Sequence, residues 1–323
     1  MTRLLTTILF TMLTSWTTAN AQVILNEYNA VSGSNHLDET LFGDSTKADT
    51  FFGRIQGNGG NWFELLVIGD ASSSVVDMRG WSFNWTEAEE VSPGVFAQGA
   101  ITLSNDIVWS AVERGTLLTF IETADAGGVG IATSTDLSFD KSSGDWHMNF
   151  CTTQEQTTGA LLTTITNDGV AGEFSVGNDN WQITILDSQG NVVSGPTGEG
   201  IGNLSGVSSR EVGKLEDLLA PNATLEDWLS IDLLTATYED GSSSSFGEAN
   251  VFSSGAFTQD LSALRVQLLL GDANQDGTVD FLDIAPFISA LSSGVYLAEA
   301  DIDQNGTVDF LDISGFIALL SGQ

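Results

Sequence analysis

The chain has 323 residues, 43 of them acidic against 9 basic, for a net charge of −34. A surface this acidic repels nucleic acid and anionic lipid, lacks the basic patch that grips phosphates, and attracts cations. With 41% hydrophobic residues and one cysteine, Cys151, the chain must fold on its core rather than on internal disulfides. Cys151 reads as a small buried side chain, not a nucleophile.

The N-terminus reads as a processing signal. Arg3 is followed by a short apolar run, Leu4 to Leu13, and then by Ala19-Asn20-Ala21, an A-x-A site with cleavage expected before Gln22. Residues 1–21 are therefore expected to be a signal peptide, and the mature protein to be secreted or held at the cell surface. The run is too short to span a bilayer, and no later stretch has the length of a transmembrane helix. With no cysteine at the cleavage site, no lipid anchor is expected.

Val23 to Ala30 is an apolar strand. Residues 31–60, rich in Gly, Ser and Asp, read as a long loop. Asn61 to Ile68 is a second strand. Val75 to Trp85 is a third, with Trp81, Phe83 and Trp85 on one face at period two. Ala100 to Leu103 and Thr116 to Thr123 continue the pattern, as do Gly172 to Val176 and Trp181 to Leu186. Asp187 to Asn191 is a turn leading into Val192-Val193, a hairpin signal. Thr224-Leu-Glu-Asp227-Trp228 fits a capping box at a short helical turn. Glycine is frequent and proline scarce, 35 against 4, and no long amphipathic helix precedes residue 281. The pattern predicts a mainly β chain, with a β-sandwich over residues 22–250 carrying inserted loops at 31–60 and 124–160. A linker is expected at 251–270, and a separate small module at 271–323.

Three short motifs, Ile24-Leu-Asn26-Glu27, Trp62-Phe-Glu64-Leu65 and Val76-Asp77-Met78-Arg79-Gly80-Trp81, resemble the opening of a lamin-tail domain. The later Phe174-Ser-Val-Gly177, Trp181, Gly190-Asn-Val-Val and Phe246-Gly247-Glu-Ala-Asn250 are similar to the same family. The resemblance implies an immunoglobulin-like β-sandwich of a kind found in many secreted bacterial proteins.

The C-terminal module is a duplication with a 29-residue offset. Asp272, Asn274, Asp276, Asp280 and Asp283 place oxygen side chains at loop positions 1, 3, 5, 9 and 12; Asp301, Asp303, Asn305, Asp309 and Asp312 repeat them. Gly277 and Gly306 stand at position 6 for the sharp bend, and Thr278 and Thr307 at position 7 offer backbone carbonyls. This is the spacing of a twelve-residue calcium loop, and an all-oxygen donor set suits a hard cation rather than zinc. Two Ca²⁺ are expected, setting +4 against nine acidic residues in a stretch with no Lys or Arg. Each loop runs into an apolar helix. Leu282, Ile284, Phe287, Ile288 and Leu291 recur at helical spacing, and Leu311, Ile313, Phe316, Ile317 and Leu320 repeat them. Pro286 falls in a first turn, where a missing N–H costs little.

Two such loop–helix units without a full entering helix resemble a type I dockerin domain, the module that docks onto cohesin domains. The resemblance implies a protein partner, cohesin-like or another extracellular scaffold. It places contact residues at loop positions 10 and 11, which are Phe281 and Leu282 in one copy and Phe310 and Leu311 in the other. Dockerins often carry small hydroxyl residues there. Large apolar side chains at the mouth of a helix belong either to a core or to an interface. Leu282 and Leu311 continue the apolar stripes and are expected in the core.

No catalytic set assembles. Neither His36 nor His147 has a partner at metal or triad spacing. Gly43-Asp44-Ser45 resembles the nucleophile block of GDSL-type hydrolases, but no Asp-x-x-His follows. Glu27 and Glu64 are nominal as a glycosidase pair and better read as hydrogen-bonding carboxylates at strand ends. Trp62, Trp81, Trp85, Trp146, Trp181 and Trp228 are expected to pack the core rather than line a polysaccharide surface. The sequence therefore reads as a non-catalytic, calcium-binding, attached protein. The alternatives are an extracellular carbohydrate-active enzyme carrying a dockerin and a surface-layer or matrix component stiffened by calcium.

Overall fold

A computed structural model describes residues 22–38, 48–70, 73–88, 96–125, 132–141, 143–167, 169–199, 207–216, 223–236, 238–241, 243–252, 258–265, 269–274, 278–294, 296–303 and 305–322. Residues 1–21, expected to be a signal peptide, and Gly43-Asp44-Ser45, Asp276 and Gly277 lie outside the described residues. The chain divides into two units, residues 1–265 and 266–323.

The first unit is built of strands β1 (Val23–Asn29), β2 (Trp62–Val67), β3 (Val75–Val76), β4 (Ser82–Ala88), β5 (Phe96–Leu103), β6 (Val112–Glu113), β7 (Leu117–Ile121), β8 (His147–Cys151), β9 (Leu162–Thr166), β10 (Gln182–Leu186), β11 (Val192–Gly198), β12 (Val212–Leu215) and β13 (Tyr238–Gly241). Helices α1 (Thr152–Thr158) and α2 (Leu225–Leu229) are short. One sheet runs β13-β12-β1-β2-β7-β8 and a second runs β11-β10-β4-β5-β9; β3 and β6 pair separately. Every pairing is antiparallel except β7 with β8.

Burial follows from the side-chain patterns. β1, β2 and β7 lie inside their sheet and are buried at every position, including the polar Asn26, Glu27, Asn29, Glu64 and Thr119 among their apolar residues. β10 alternates, with Ile183 and Ile185 buried between half-buried neighbours, as a strand with one covered face should. The two sheets share one core. Phe63 of β2 stacks on Phe120 of β7 at 5.2 Å, and Phe83 of β4 meets Phe120 edge-on at 5.1 Å. Tyr28 of β1 lies 4.9 Å from Trp181, which leads into β10. Aromatic pairs in these offset and edge-on arrangements add about 0.5–1.5 kcal/mol each beyond the area they bury. All six tryptophans expected in the core are buried.

The structure departs from the expected strands in three places. Val75 to Trp85 is not one strand: Gly80, at φ +72°, turns the chain, so Val75–Val76 and Ser82–Ala88 belong to different sheets. Phe174 and Val176 are buried, yet Gly172 to Val176 joins no ladder; the Val176 N–H goes instead to the Asn61 side chain. The stretch 124–160, expected as an inserted loop, contains β8 and α1. It supplies the crossover that a parallel β7–β8 pair requires.

The expected linker 251–270 is partly built into this unit. Leu261 and Leu264 lie in its core, Gln259 donates to the Asn26 side chain at 2.8 Å, and Arg265 donates to the Gly115 carbonyl while its guanidinium sits 5.6 Å from the Trp146 ring.

The second unit consists of α3 (Ile284–Ser293) and α4 (Asp312–Leu320), each following one loop. Its core joins Ala273, Phe287, Ala290, Ala300 and Phe316. Phe287 and Phe316, equivalent residues of the two copies, stack at 4.0 Å with their planes 2° apart. The duplication thus closes on itself through its own repeated ring.

Candidate calcium loops

The last carboxylate of each loop is anchored on backbone N–H groups. Asp283 is fully buried; its Oδ1 accepts from the Asn274 N–H at 2.9 Å and its Oδ2 from the Asp280 N–H at 2.7 Å. Asp312, also fully buried, accepts from the N–H groups of Asp303 at 3.1 Å and Asp309 at 2.8 Å in the same pattern, and from Ile302 at 2.7 Å. Position 9 has a second task. Asp280 Oδ1 accepts from the Leu282 N–H and Asp309 Oδ1 from the Leu311 N–H, both at 2.7 Å. Each loop therefore caps the helical turn that follows it, satisfying donors that a helix start leaves open.

In the second loop, Asp301 Oδ1 accepts from the Asn305 N–H at 3.0 Å. Its Oδ2 accepts from the Gly306 N–H at 2.9 Å and from the Tyr296 hydroxyl at 3.1 Å. Gly306 has φ +88°, a bend that favours glycine. Burial and the neighbouring Asp301 push the Tyr296 phenol up, so it stays protonated and donates at neutral pH. The carboxylates of Asp301, Asp303 and Asp312 offer oxygens within 4.8 Å of one another. Three like charges this close, two of them buried, repel strongly unless a cation lies among them. The donor set is oxygen alone, so the residues fit Ca²⁺. Asn305 and Thr307 stand in the same loop, joined by a Thr307 Oγ1–Asn305 Oδ1 hydrogen bond of 2.6 Å. In the first loop, Asp272 is buried at position 1 and Thr278 is exposed at position 7.

Positions 10 and 11 point outward. Phe281 is 78% exposed and Phe310 81%; Leu282 and Leu311 are each 66% exposed. The expectation that both leucines belong to the core is corrected. The buried face of α3 runs through Phe287 and Ala290, whereas Leu282 lies in the 3-10 turn Phe281–Asp283 before α3, where the α-helical phase does not apply. Ile288 and Ile317, on the same extrapolated stripes, are exposed as well. Each copy therefore presents a matching apolar patch.

The first unit holds a buried polar cluster. Glu27 and Glu64 are register partners on β1 and β2, both fully buried. They are not strand-end groups but mid-sheet anchors for the closing segment. Glu27 accepts the Ser245 N–H on both oxygens at 3.0 Å, and Glu64 accepts from the Gly247 N–H at 2.8 Å and Asn26 Nδ2 at 2.7 Å. Desolvation raises the Glu64 carboxyl to about 8, against the lowering effect of the Asn26 and Gly247 hydrogen bonds and of Arg265. Desolvation also holds Glu27 well above the usual range, opposed by Lys214 across the ladder. His147 is lowered to about 4 by burial, and its Nε2 lies 2.8 Å from the Thr119 hydroxyl. Cys151 is buried. The closing segment is visible in the sequence as Phe246-Gly247-Glu-Ala-Asn250, but its bonding to Glu27 and Glu64 is not, since the donors it supplies are the backbone N–H groups of Ser245 and Gly247.

Residues 270–321 match the family model described as the dockerin type I domain. No characterised protein and no solved structure matches the chain. Type I dockerin domains typically bind calcium and attach to cohesin-bearing partners. Among the described residues, no helix is long and apolar enough to cross a membrane.

Proposed function

We propose that the chain is a secreted, non-catalytic attachment protein. Its β unit is an immunoglobulin-like, lamin-tail-like sandwich, and its C-terminal unit binds two Ca²⁺ and docks through Phe281, Leu282, Phe310 and Leu311 onto a cohesin. The observation that carries this reading is the pair of matching apolar patches, one at the mouth of each calcium loop. Calcium would be held by the twelve loop positions; it would neutralise the crowded carboxylates and tie each loop to its helix. The full burial of Glu27 and Glu64 favours a structural role for them over acid–base chemistry on a polysaccharide. An activity screen of the full chain against polysaccharides and phosphoesters tests that part. For export, mass spectrometry of the native protein is expected to find Gln22 as the first residue; an intact 1–21 segment rejects it.

Because the copies match from Gly277 to Ile284 and from Gly306 to Ile313, a partner can meet either patch in two related orientations. On immobilised type I cohesin domains, the full chain is expected to bind in calcium and to leave in chelator. Phe281→Ser alone and Phe310→Ser alone should each weaken binding less than about threefold, and the double variant more than about a hundredfold, since fully buried aromatic anchors dominate interfaces. A single change that abolishes binding rejects the two-orientation arrangement. Absence of binding to every cohesin tested rejects cohesin as the partner.

A further inference from the structure

We propose that Asn305-Gly306, positions 5 and 6 of the second loop, is a site of spontaneous succinimide formation that proceeds when calcium is withheld and is blocked when calcium is bound. Calcium depletion then disables this loop irreversibly. The calcium dependence rests on the calcium reading above; the modification itself does not. An asparagine followed by glycine is open to attack by the next residue's own backbone nitrogen, because glycine has no Cβ to crowd the approach. The sequence holds two such pairs, Asn58-Gly59 and Asn305-Gly306. The fold treats them oppositely. Asn58 and Gly59 are buried, and Asn58 is fully shielded from the water that the reaction consumes. Asn305, Gly306 and Thr307 are all exposed.

Around Asn305 each reacting atom has a partner of the right polarity. The carbonyl oxygen Oδ1 accepts from the Thr307 N–H at 2.9 Å and from the Thr307 hydroxyl at 2.6 Å. Two donors there stabilise the charge that develops on this oxygen as the tetrahedral intermediate forms. The attacking Gly306 N–H donates to Asp301 Oδ2 at 2.9 Å, a carboxylate that helps the nitrogen shed its hydrogen. The departing Nδ2 donates to Asp303 Oδ2 at 3.0 Å.

In the step itself, Gly306 N bonds to Asn305 Cγ and the Cγ–Nδ2 bond breaks. The Gly306 proton passes to the departing nitrogen, which leaves as ammonia. Water then opens the ring at either carbonyl, giving aspartate or isoaspartate, with no change of oxidation state. Isoaspartate adds a methylene to the backbone and shortens the side chain at position 5, so a ligand is displaced. Asn305 Oδ1 is the oxygen that position 5 offers to calcium. A bound ion therefore holds the carboxamide away from ring closure.

The test incubates the full chain under mildly alkaline conditions, in saturating calcium and in chelator, and maps its peptides by mass spectrometry. Conversion reads as a gain of about 1 Da at the asparagine. Asn305 is expected to convert about tenfold faster in chelator than in calcium, since misplacing the reacting atoms slows closure steeply. Asn58 is expected to stay intact in both. An Asn305 that survives chelation, or an Asn58 that converts as fast, overturns the site. Thr307→Val keeps the backbone groups of position 7 and removes the hydroxyl, and is expected to slow conversion in chelator by about threefold or more. If it converts as fast as the unmutated chain, the reaction is that of an unstructured dipeptide and the role of the loop's donors is overturned. Equal rates in calcium and chelator overturn the protection if calorimetry of the unmutated chain shows calcium heat. If it shows none, the calcium reading falls while the modification at Asn305 stands. Once Asn305 is consumed, returning calcium is expected to find a stoichiometry reduced from two toward one. Unchanged stoichiometry and affinity reject the disabling of the loop.

Discussion

Asp312→Ala should reduce the calcium stoichiometry of the full chain from two to one and remove most of the helical signal contributed by α4. Asp312 is fully buried and accepts three backbone N–H groups, from Ile302, Asp303 and Asp309. Truncation leaves those donors without their acceptor, at about 1 kcal/mol or more each. It also deletes the carboxylate that ties the loop to the helix. Among the described residues of 266–323 the core is small, five buried hydrophobic side chains centred on the Phe287–Phe316 stack, so that loss is a large share of the unit's stability. Asp309→Ala, at the half-exposed position 9, removes one cap and should cost about 1 kcal/mol, with both ions retained. Chelation should act on both loops at once. Without cations the carboxylates of Asp301, Asp303 and Asp312 face one another within 4.8 Å, and the free energy of ion binding becomes the free energy of folding. Calorimetric stoichiometry and circular dichroism at 222 nm are the measurements. An Asp312→Ala protein that still binds two ions with an unchanged spectrum would falsify the assignment of this residue as the loop's closing ligand.

Those loops were legible because every determinant is local: six oxygen-bearing positions and one glycine within twelve residues, repeated after 29. The central strands were legible for a similar reason. Val23-Ile-Leu and Trp62-Phe-Glu-Leu-Leu-Val have no exposed face to satisfy and read as apolar runs interrupted only by Glu64. β8 was hidden because His147-Met-Asn-Phe-Cys151, although it alternates polar with apolar, is short and carries no β-branched residue; its place is set by the parallel partner Leu117–Ile121, some thirty residues earlier. The outward-facing Leu282 and Leu311 were misread by extending a helical stripe into the turn before the helix, where its phase no longer holds. Residues 258–265 looked like a linker because their composition is mixed, yet Leu261, Leu264 and Gln259 reach back to β1 and its surroundings. The Glu27–Glu64 pair was visible as two acids. Its role was not, because Ser245 and Gly247 supply backbone N–H groups from 218 and 183 residues away.

That pair sets the second large effect, a first unit that loses stability as the solution becomes alkaline. The Glu64 carboxyl sits at about 8 in the folded chain against an ordinary value of 4.5, chiefly through desolvation. A raised carboxyl binds its proton more tightly folded than unfolded, so its contribution is fully present below about pH 4.5 and is lost as the pH rises through about 8. The groups facing it are Glu248, which reinforces the rise, and Arg265, Asn26 and the Gly247 N–H, which oppose it. Glu27, raised by its own burial and by Glu64, and opposed by Lys214, moves in the same direction. His147 moves oppositely. Lowered to about 4, it costs stability below its ordinary value of 6.5 and contributes no slope well above it. Comparing each chain with Glu64→Gln cancels that common term. Glutamine keeps an acceptor near Asn26 and Gly247 and cannot ionise. Relative to the unmutated chain, Glu64→Gln should therefore gain on the order of 4 kcal/mol between pH 5 and pH 9, or roughly 10 °C in Tm. Tryptophan fluorescence melts in saturating calcium read this unit, since all eight tryptophans precede residue 266. If the two chains keep a constant difference in Tm across that range, Glu64 is ionised at both ends and is held as a carboxylate by Arg265 and its two hydrogen-bond donors.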